Sequence, residues 1–126
     1  MQGKLKVMVV DDEQSVRDVL VENLEDCGFE VAFARDGQEA LNMIDEGHHR
    51  PQVVITDIIM PKREGLEVIM ELRKRHPQIR LIAISGGGRT KSADFLQLAK
   101  KLGADAILPK PLDLDMLEKT VRSLAS

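Results

Sequence analysis

The feature that most constrains this chain is an alternation. Aliphatic runs of strand length are followed by amphipathic runs of helix length, five times over. Parallel strands need a long crossover between them, and a helix is the usual one, so strict alternation points to a parallel sheet covered by helices. The strand-length runs are Leu5 to Val10, Glu30 to Ala34, Val53 to Thr56, Leu81 to Ile84 and Ala106 to Leu108. The first, third and fourth are almost continuously aliphatic, which marks strands buried on both faces.

Helical spacing fills the gaps. It runs through Val16, Val19, Leu20, Leu24 and Cys27, then Ala40, Leu41 and Ile44, then Leu66, Ile69, Met70 and Leu72. It resumes at Phe95, Leu98, Ala99 and Leu102 and again at Leu114, Leu117, Val121 and Leu124. Ser15 with Asp18, Asp36 with Glu39, and Asp113 read as helix starts. Gly28, Gly47 and Gly103 read as helix ends, and Pro77 limits the third helix. The expectation is one α/β domain over residues 1–126, a doubly wound five-stranded parallel sheet flanked by five helices. The expected strand order is 2-1-3-4-5, one common arrangement of such a sheet, although alternation alone does not select it.

Composition narrows the function. Trp and Tyr are absent, and Phe29, Phe33 and Phe95 are the only aromatics. The core is therefore aliphatic, and a base-stacking platform for single-stranded nucleic acid is not expected. The formal net charge of -3 gives no field that would draw DNA or an anionic membrane. The basic run Arg73-Lys74-Arg75 falls near a helix end, where cations suit the negative pole, and reads as a solvated face. No apolar run is long enough to span a membrane, and no signal peptide is visible. Cys27 is the single cysteine, so an internal disulfide is impossible and a reducing cytoplasm is expected.

In open α/β sheets, ligands bind beyond the carboxyl ends of the strands. Strand one ends in Asp11-Asp12-Glu13, strand three in Asp57, strand four in Ser85 followed by Gly86-Gly87-Gly88, and strand five in Pro109-Lys110-Pro111. Three carboxylates, a hydroxyl and an ammonium thus meet at one rim if the fold is right. Close carboxylates raise one another's pKa unless a cation compensates them. Magnesium suits an all-oxygen set, whereas zinc does not suit a lone cysteine and three scattered histidines. Any one of these acids is as easily a helix cap, but the set at four strand ends is not. The chemistry it suits is phosphoryl transfer to a carboxylate, with Asp57 as nucleophile, Lys110 pairing with a phosphoryl oxygen and Ser85 donating a hydrogen bond to another.

These residues resemble the receiver family of two-component response regulators, typified by the bacterial chemotaxis regulator. The likeness rests on Asp11-Asp12, on Asp57 with Met60-Pro61, on Ser85 with its small neighbour, and on Lys110-Pro111. Gly28-Phe29-Glu30-Val31 and Asp36-Gly37-Gln38-Glu39-Ala40-Leu41 extend it over essentially the whole chain. The resemblance implies that Asp57 takes a phosphoryl group from a sensor histidine kinase or phosphotransfer protein. It implies magnesium on Asp12, Asp57 and the carbonyl of Ile59, with Asp11 acting through water or weakly. It also implies a cis Lys110-Pro111 bond, Ser85 turning inward on phosphorylation, and a downstream protein target. The family often carries an aromatic three residues before the lysine, where this chain has Ile107, so signal is expected to pass instead through the loop from Gly86 to Arg89.

Three rivals carry different expectations. A small phosphohydrolase with an Asp nucleophile, of the haloacid-dehalogenase type, would need a second Asp two residues after the first, and Asp57 is followed there by Ile59. A flavin binder would need a phosphate cradle after strand one and aromatic walls, and Asp11-Asp12 would repel the phosphate. An inert scaffold would not need the full set of rim groups. Cys27 and Phe95 read as packing residues, and His48-His49 as a polar loop. Because the last helix closes the sequence, a free-standing regulator is the favoured arrangement over an excised domain.

Overall fold

The computed structural model describes residues 4–47, 49–57, 64–85, 97, 100–101, 103–109 and 112–125, with the backbone alone at 64–66 and 85. The elements run β1 (Lys6–Val10), α1 (Gln14–Asp26), β2 (Glu30–Ala34), α2 (Gly37–Asp45), β3 (Val53–Asp57), α3 (Glu64–Arg75), β4 (Arg80–Ser85), β5 (Ala106–Pro109) and α4 (Leu114–Ala125). The five strands form one sheet in the order β2-β1-β3-β4-β5, and every pairing is parallel. The helix expected on Phe95, Leu98, Ala99 and Leu102 has all four of those residues outside the described ones. Helical backbone is described there at Gln97, Lys100 and Lys101.

Strand periodicity builds two cores from one sheet. Met8, Val10, Val54, Leu81 and Ala83 face Ala40, Leu41 and Ile44 of α2 and Val68, Ile69 and Leu72 of α3. The alternate residues Val7, Val9, Val53, Ile55, Ile82 and Ile84 face Leu20 and Leu24 of α1 and Leu117 and Val121 of α4. Because β1, β3 and β4 are covered on both sides, their sequences have no polar face to alternate with. Ile107 on β5 is half-buried against the first cluster.

Helix boundaries follow local chemistry, with corrections. The Asp36 carboxylate accepts from the Glu39 backbone N–H at 2.8 Å, and Asp113 accepts from Asp115 and Met116 at 3.0 and 3.1 Å, as expected of caps. Ser15 and Asp18 do not open α1. The helix starts at Gln14 with Glu13 at the cap position and no side-chain cap, because the preceding turn is already fixed by Asp11. Val19 and Met70, expected in the core, are 57% and 51% exposed. In α3 the buried stripe runs Val68, Ile69, Leu72, and Met70 lies a further 100° round the helix from Ile69.

A second network ties α3 to the chain entering β5. The Arg73 guanidinium donates to the Gly103 carbonyl from Nε and Nη2 at 3.2 and 2.7 Å and to Asp105 Oδ2 at 2.7 Å. It also donates to the Pro77 carbonyl at 2.7 Å. The basic run is thus more than a solvated face. Gly103 has φ +120°, and a Cβ there would stand 3.0 Å from the Arg73 stem, so the position needs glycine on both counts. Among the described residues, no helix is long and apolar enough to cross a membrane.

Candidate functional site

The site follows from register. Val10 stands opposite Thr56, so Asp11, just past the end of β1, lies beside Asp57, the last residue of β3. Neighbouring strands lie about 4.8 Å apart, which puts the two backbones within reach of one small ion. Asp57 pairs with Ile84, and Ser85 pairs with Pro109, so β4 and β5 end at the same rim one step further on. Asp11 is 3% exposed and Asp57 5% exposed, while Asp12 is exposed to solvent.

Two buried carboxylates on adjacent strands are costly unless hydrogen bonds or a cation compensate them. Asp11 has part of that compensation locally. Its Oδ1 accepts from the Glu13 backbone N–H at 2.9 Å, and its own N–H donates to the Ala34 carbonyl at 3.2 Å. The turn between β1 and α1 is therefore pinned to β2 on one side and folded onto its own carboxylate on the other.

Sequence reasoning passed over Arg17, which completes this turn. Arg17 is 7% exposed, and its Nη1 donates to the Asp11 carbonyl at 2.8 Å. The guanidinium carbon lies 5.4 Å from the centre of the Phe33 ring, a cation-π contact on the outer end of β2. Its Nε is buried with no hydrogen-bond partner. A buried donor left unpaired costs about 1–3 kcal/mol. The signal was available: Arg17, Leu20 and Leu24 stand at i, i+3 and i+7, so a charge occupies the apolar stripe of α1.

Beside the turn, Arg35 and Glu39 form a pair at 3.0 Å, and Glu39 also accepts from the Arg35 backbone N–H at 2.8 Å. These bonds, with a smaller contribution from Arg17, hold the Glu39 carboxyl below its ordinary range. On the opposite flank, Asp11, Ser15, Val16, Val19, Leu20, Ile84, Leu112 and Leu114 line a mostly apolar groove of about 440 Å³ between α1 and α4. Exposure of Val19 is explained by this groove, since its side chain forms part of the wall.

Of the expected site residues, the structure brings Asp11 and Asp57 together and puts Asp12 one residue from the first. The strand end carrying Ser85 is described, but its side chain is not. Ile59, Lys110, the Lys110-Pro111 bond and the loop from Gly86 to Arg89 lie outside the described residues. Among the described residues, no three His, Cys, Asp or Glu side chains form a preassembled metal cluster. The available donors are carboxylate oxygens, which suit a hard cation held by one or two carboxylates with water and phosphate oxygens completing the shell.

His49 departs from expectation. The sequence suggests a polar loop at His48-His49; His48 lies outside the described residues, and both ring nitrogens of His49 are buried without hydrogen-bond partners. Burial, aided by nearby Lys6, pushes its pKa below the ordinary histidine value, with Glu30 opposing. It sits at the end of the sheet opposite the carboxylates, in the connection into β3. Cys27 packs against the second core cluster as expected, and burial and a hydrogen bond to Glu118 raise its thiol pKa.

Comparison with known proteins agrees with this fold. The family model described as the response regulator receiver domain matches residues 7–122. A "Probable transcriptional regulator ycf27" of Cyanophora paradoxa is 40% identical over 97% of this chain and 48% of its own length. The "Sensor kinase CckA" of Brucella abortus is 36% identical over 98% of this chain and 13% of its own. The chain thus spans about half or less of the length of these curated relatives. The crystal structure of a response regulator receiver domain protein from Clostridium thermocellum superposes with a TM-score of 0.87 at 32% identity, covering 96% of this chain and 94% of that one.

Proposed function

Since the chain belongs to the response-regulator receiver family of two-component signalling, we propose that Asp57 is its phosphoryl acceptor and that magnesium binds beside it. The observation that carries this reading is the pair of buried carboxylates, Asp11 and Asp57, leaving adjacent central strands side by side. Receiver domains are signalling modules and not metabolic enzymes, and the phosphohydrolase alternative is not favoured by a receiver match over residues 7–122.

The proposed chemistry is a single displacement. A carboxylate oxygen of Asp57 attacks the phosphorus of a phosphohistidine on a sensor kinase or phosphotransfer protein. The P–N bond breaks, and its electron pair stays on the imidazole nitrogen, which then takes a proton. Asp12, Asp57 and the carbonyl of Ile59 would hold magnesium, with Asp11 orienting the shell. When bound, magnesium neutralises charge on the phosphoryl oxygens. Lys110 would pair with one phosphoryl oxygen and Ser85 would hydrogen-bond another. Burial of Asp57 keeps bulk water from competing for the same phosphorus.

The wider reading is a receiver domain spanning residues 1–126, with a fifth helix over the Phe95 to Leu102 stretch. It works in the cytoplasm and switches a protein-interaction surface for a downstream target, without itself contacting nucleic acid or membrane. The test is labelling by acetyl phosphate, followed by intact mass. Wild type should gain one phosphoryl group with magnesium and none in EDTA, and Asp57→Asn should gain none. Unlabelled wild type, or a labelled Asp57→Asn protein, would overturn the reading.

A further inference from the structure

We infer that Arg17 is a positioning residue for divalent-cation binding, holding the turn that carries Asp11 and Asp12 through the Asp11 carbonyl. The inference rests on the proposed magnesium site and adds a residue that is not itself a ligand.

Four observations converge on it. Arg17 occupies a core position of α1, where an aliphatic side chain would pack with Leu20 and Leu24. Its contact with the turn is short and buried, Nη1 to the Asp11 carbonyl at 2.8 Å. The exposed Phe33 ring, 51% accessible, lies under its guanidinium and restricts the plane of the fork. Its Nε is left without a partner, so the side chain is not placed to satisfy itself. A buried arginine with an unpaired donor is a poor way to stabilise a helix and a good way to fix a backbone carbonyl.

The consequence is geometric. The Asp11 backbone is held from three directions: by Ala34 through its N–H, by its own carboxylate bound to Glu13, and by Arg17 through its carbonyl. Asp12 follows immediately, so its carboxylate inherits the orientation of that peptide. Groups that orient metal ligands without touching the metal typically change affinity by about 10–100-fold when removed. A cation this close also repels magnesium, so the two roles predict opposite signs. Fixing the turn makes Arg17 favourable to binding; charge alone makes it unfavourable. The hydrogen bond to the turn is direct, and the charge is shared with Phe33 and Glu39, so the first effect wins.

The experiment is magnesium titration by calorimetry on wild type, Arg17→Met and Phe33→Leu, with circular dichroism to establish that each is folded. Arg17→Met keeps the packed stem and should weaken magnesium by about tenfold. Phe33→Leu alters an exposed residue, so it folds even where Arg17→Met does not, and it should weaken magnesium by about threefold, a fraction of that loss. Acetyl-phosphate labelling of Arg17→Met should approach the wild-type rate once magnesium is saturating. A role limited to fold stability would lower the melting temperature and leave the affinity of the folded protein unchanged, which overturns the inference. Unchanged or tighter binding in both variants does the same. Wild type that binds no magnesium removes the site itself and the inference with it. Wild type that binds and labels, beside variants that match it, removes the Arg17 role alone.

Discussion

Replacing Arg73 by Met should destabilise the domain by about 2 kcal/mol. The substitution keeps most of the stem that packs on Gly103 and deletes the guanidinium. Four hydrogen bonds disappear: two to the Gly103 carbonyl, one to Asp105 and one to Pro77. Bonds to a charged group contribute about 1.5–3 kcal/mol when sheltered, whereas an exposed ion pair contributes about 0–1 kcal/mol. The Arg73 and Asp105 side chains are 27% and 22% exposed, between those limits. Asp105 also keeps the Leu81 N–H at 2.8 Å and Arg80 at 3.6 Å, so its carboxylate is not orphaned. That holds the loss below the roughly 3–5 kcal/mol of a broken buried pair. With no Trp or Tyr, the assay is urea unfolding followed by far-ultraviolet circular dichroism. At a slope of about 1.5 kcal/mol per molar, the midpoint should fall by about 1.3 M. A fall under about 0.3 M would refute the reasoning, showing that water replaces the guanidinium at no cost.

The folded state holds His49 with a lowered pKa, so it binds fewer protons than the unfolded chain just below the ordinary value. Its contribution is complete above about pH 6.5 and declines as pH falls from there toward the depressed folded value. Urea midpoints measured from about pH 8 to about pH 5.5 should drop less for His49→Leu than for wild type, and parallel curves would contradict this. Leu117 is fully buried between α4 and the sheet, and Leu117→Ala should cost about 2–5 kcal/mol in the same unfolding assay.

The parts legible in the sequence were those with a single physical cause. β1, β3 and β4 read correctly because burial on both faces removes polar residues, and their bounds moved by at most a residue at either end. Asp36 and Asp113 read correctly because a cap needs only its own next turn. Ser15 with Asp18 had the right spacing but lost to a tertiary arrangement, since Asp11 folds the turn and starts α1 earlier. Val19 and Met70 fit the helical spacing of core residues yet are exposed, because hydrophobicity alone does not say which side of a stripe a residue takes. Burial of His49 was not legible, because burial of a polar side chain depends on what covers it in the fold; Arg17 was legible as a charge within the apolar stripe of α1, though its contact with the Asp11 carbonyl was not. Within the site, Asp11 and Asp57 were legible as strand ends. Their adjacency depends on β1 lying next to β3, an order that alternation does not choose; the expected order 2-1-3-4-5, in keeping with the receiver resemblance, is the one the sheet adopts.

Anomalous diffraction from crystals soaked in manganese, a spectroscopically visible substitute for magnesium, puts the whole account at risk in one map. One strong peak should appear at the rim where β1 and β3 end, within coordination distance of the carboxylates of Asp12 and Asp57. A peak elsewhere on the molecule, with that rim empty at saturating manganese, would contradict it.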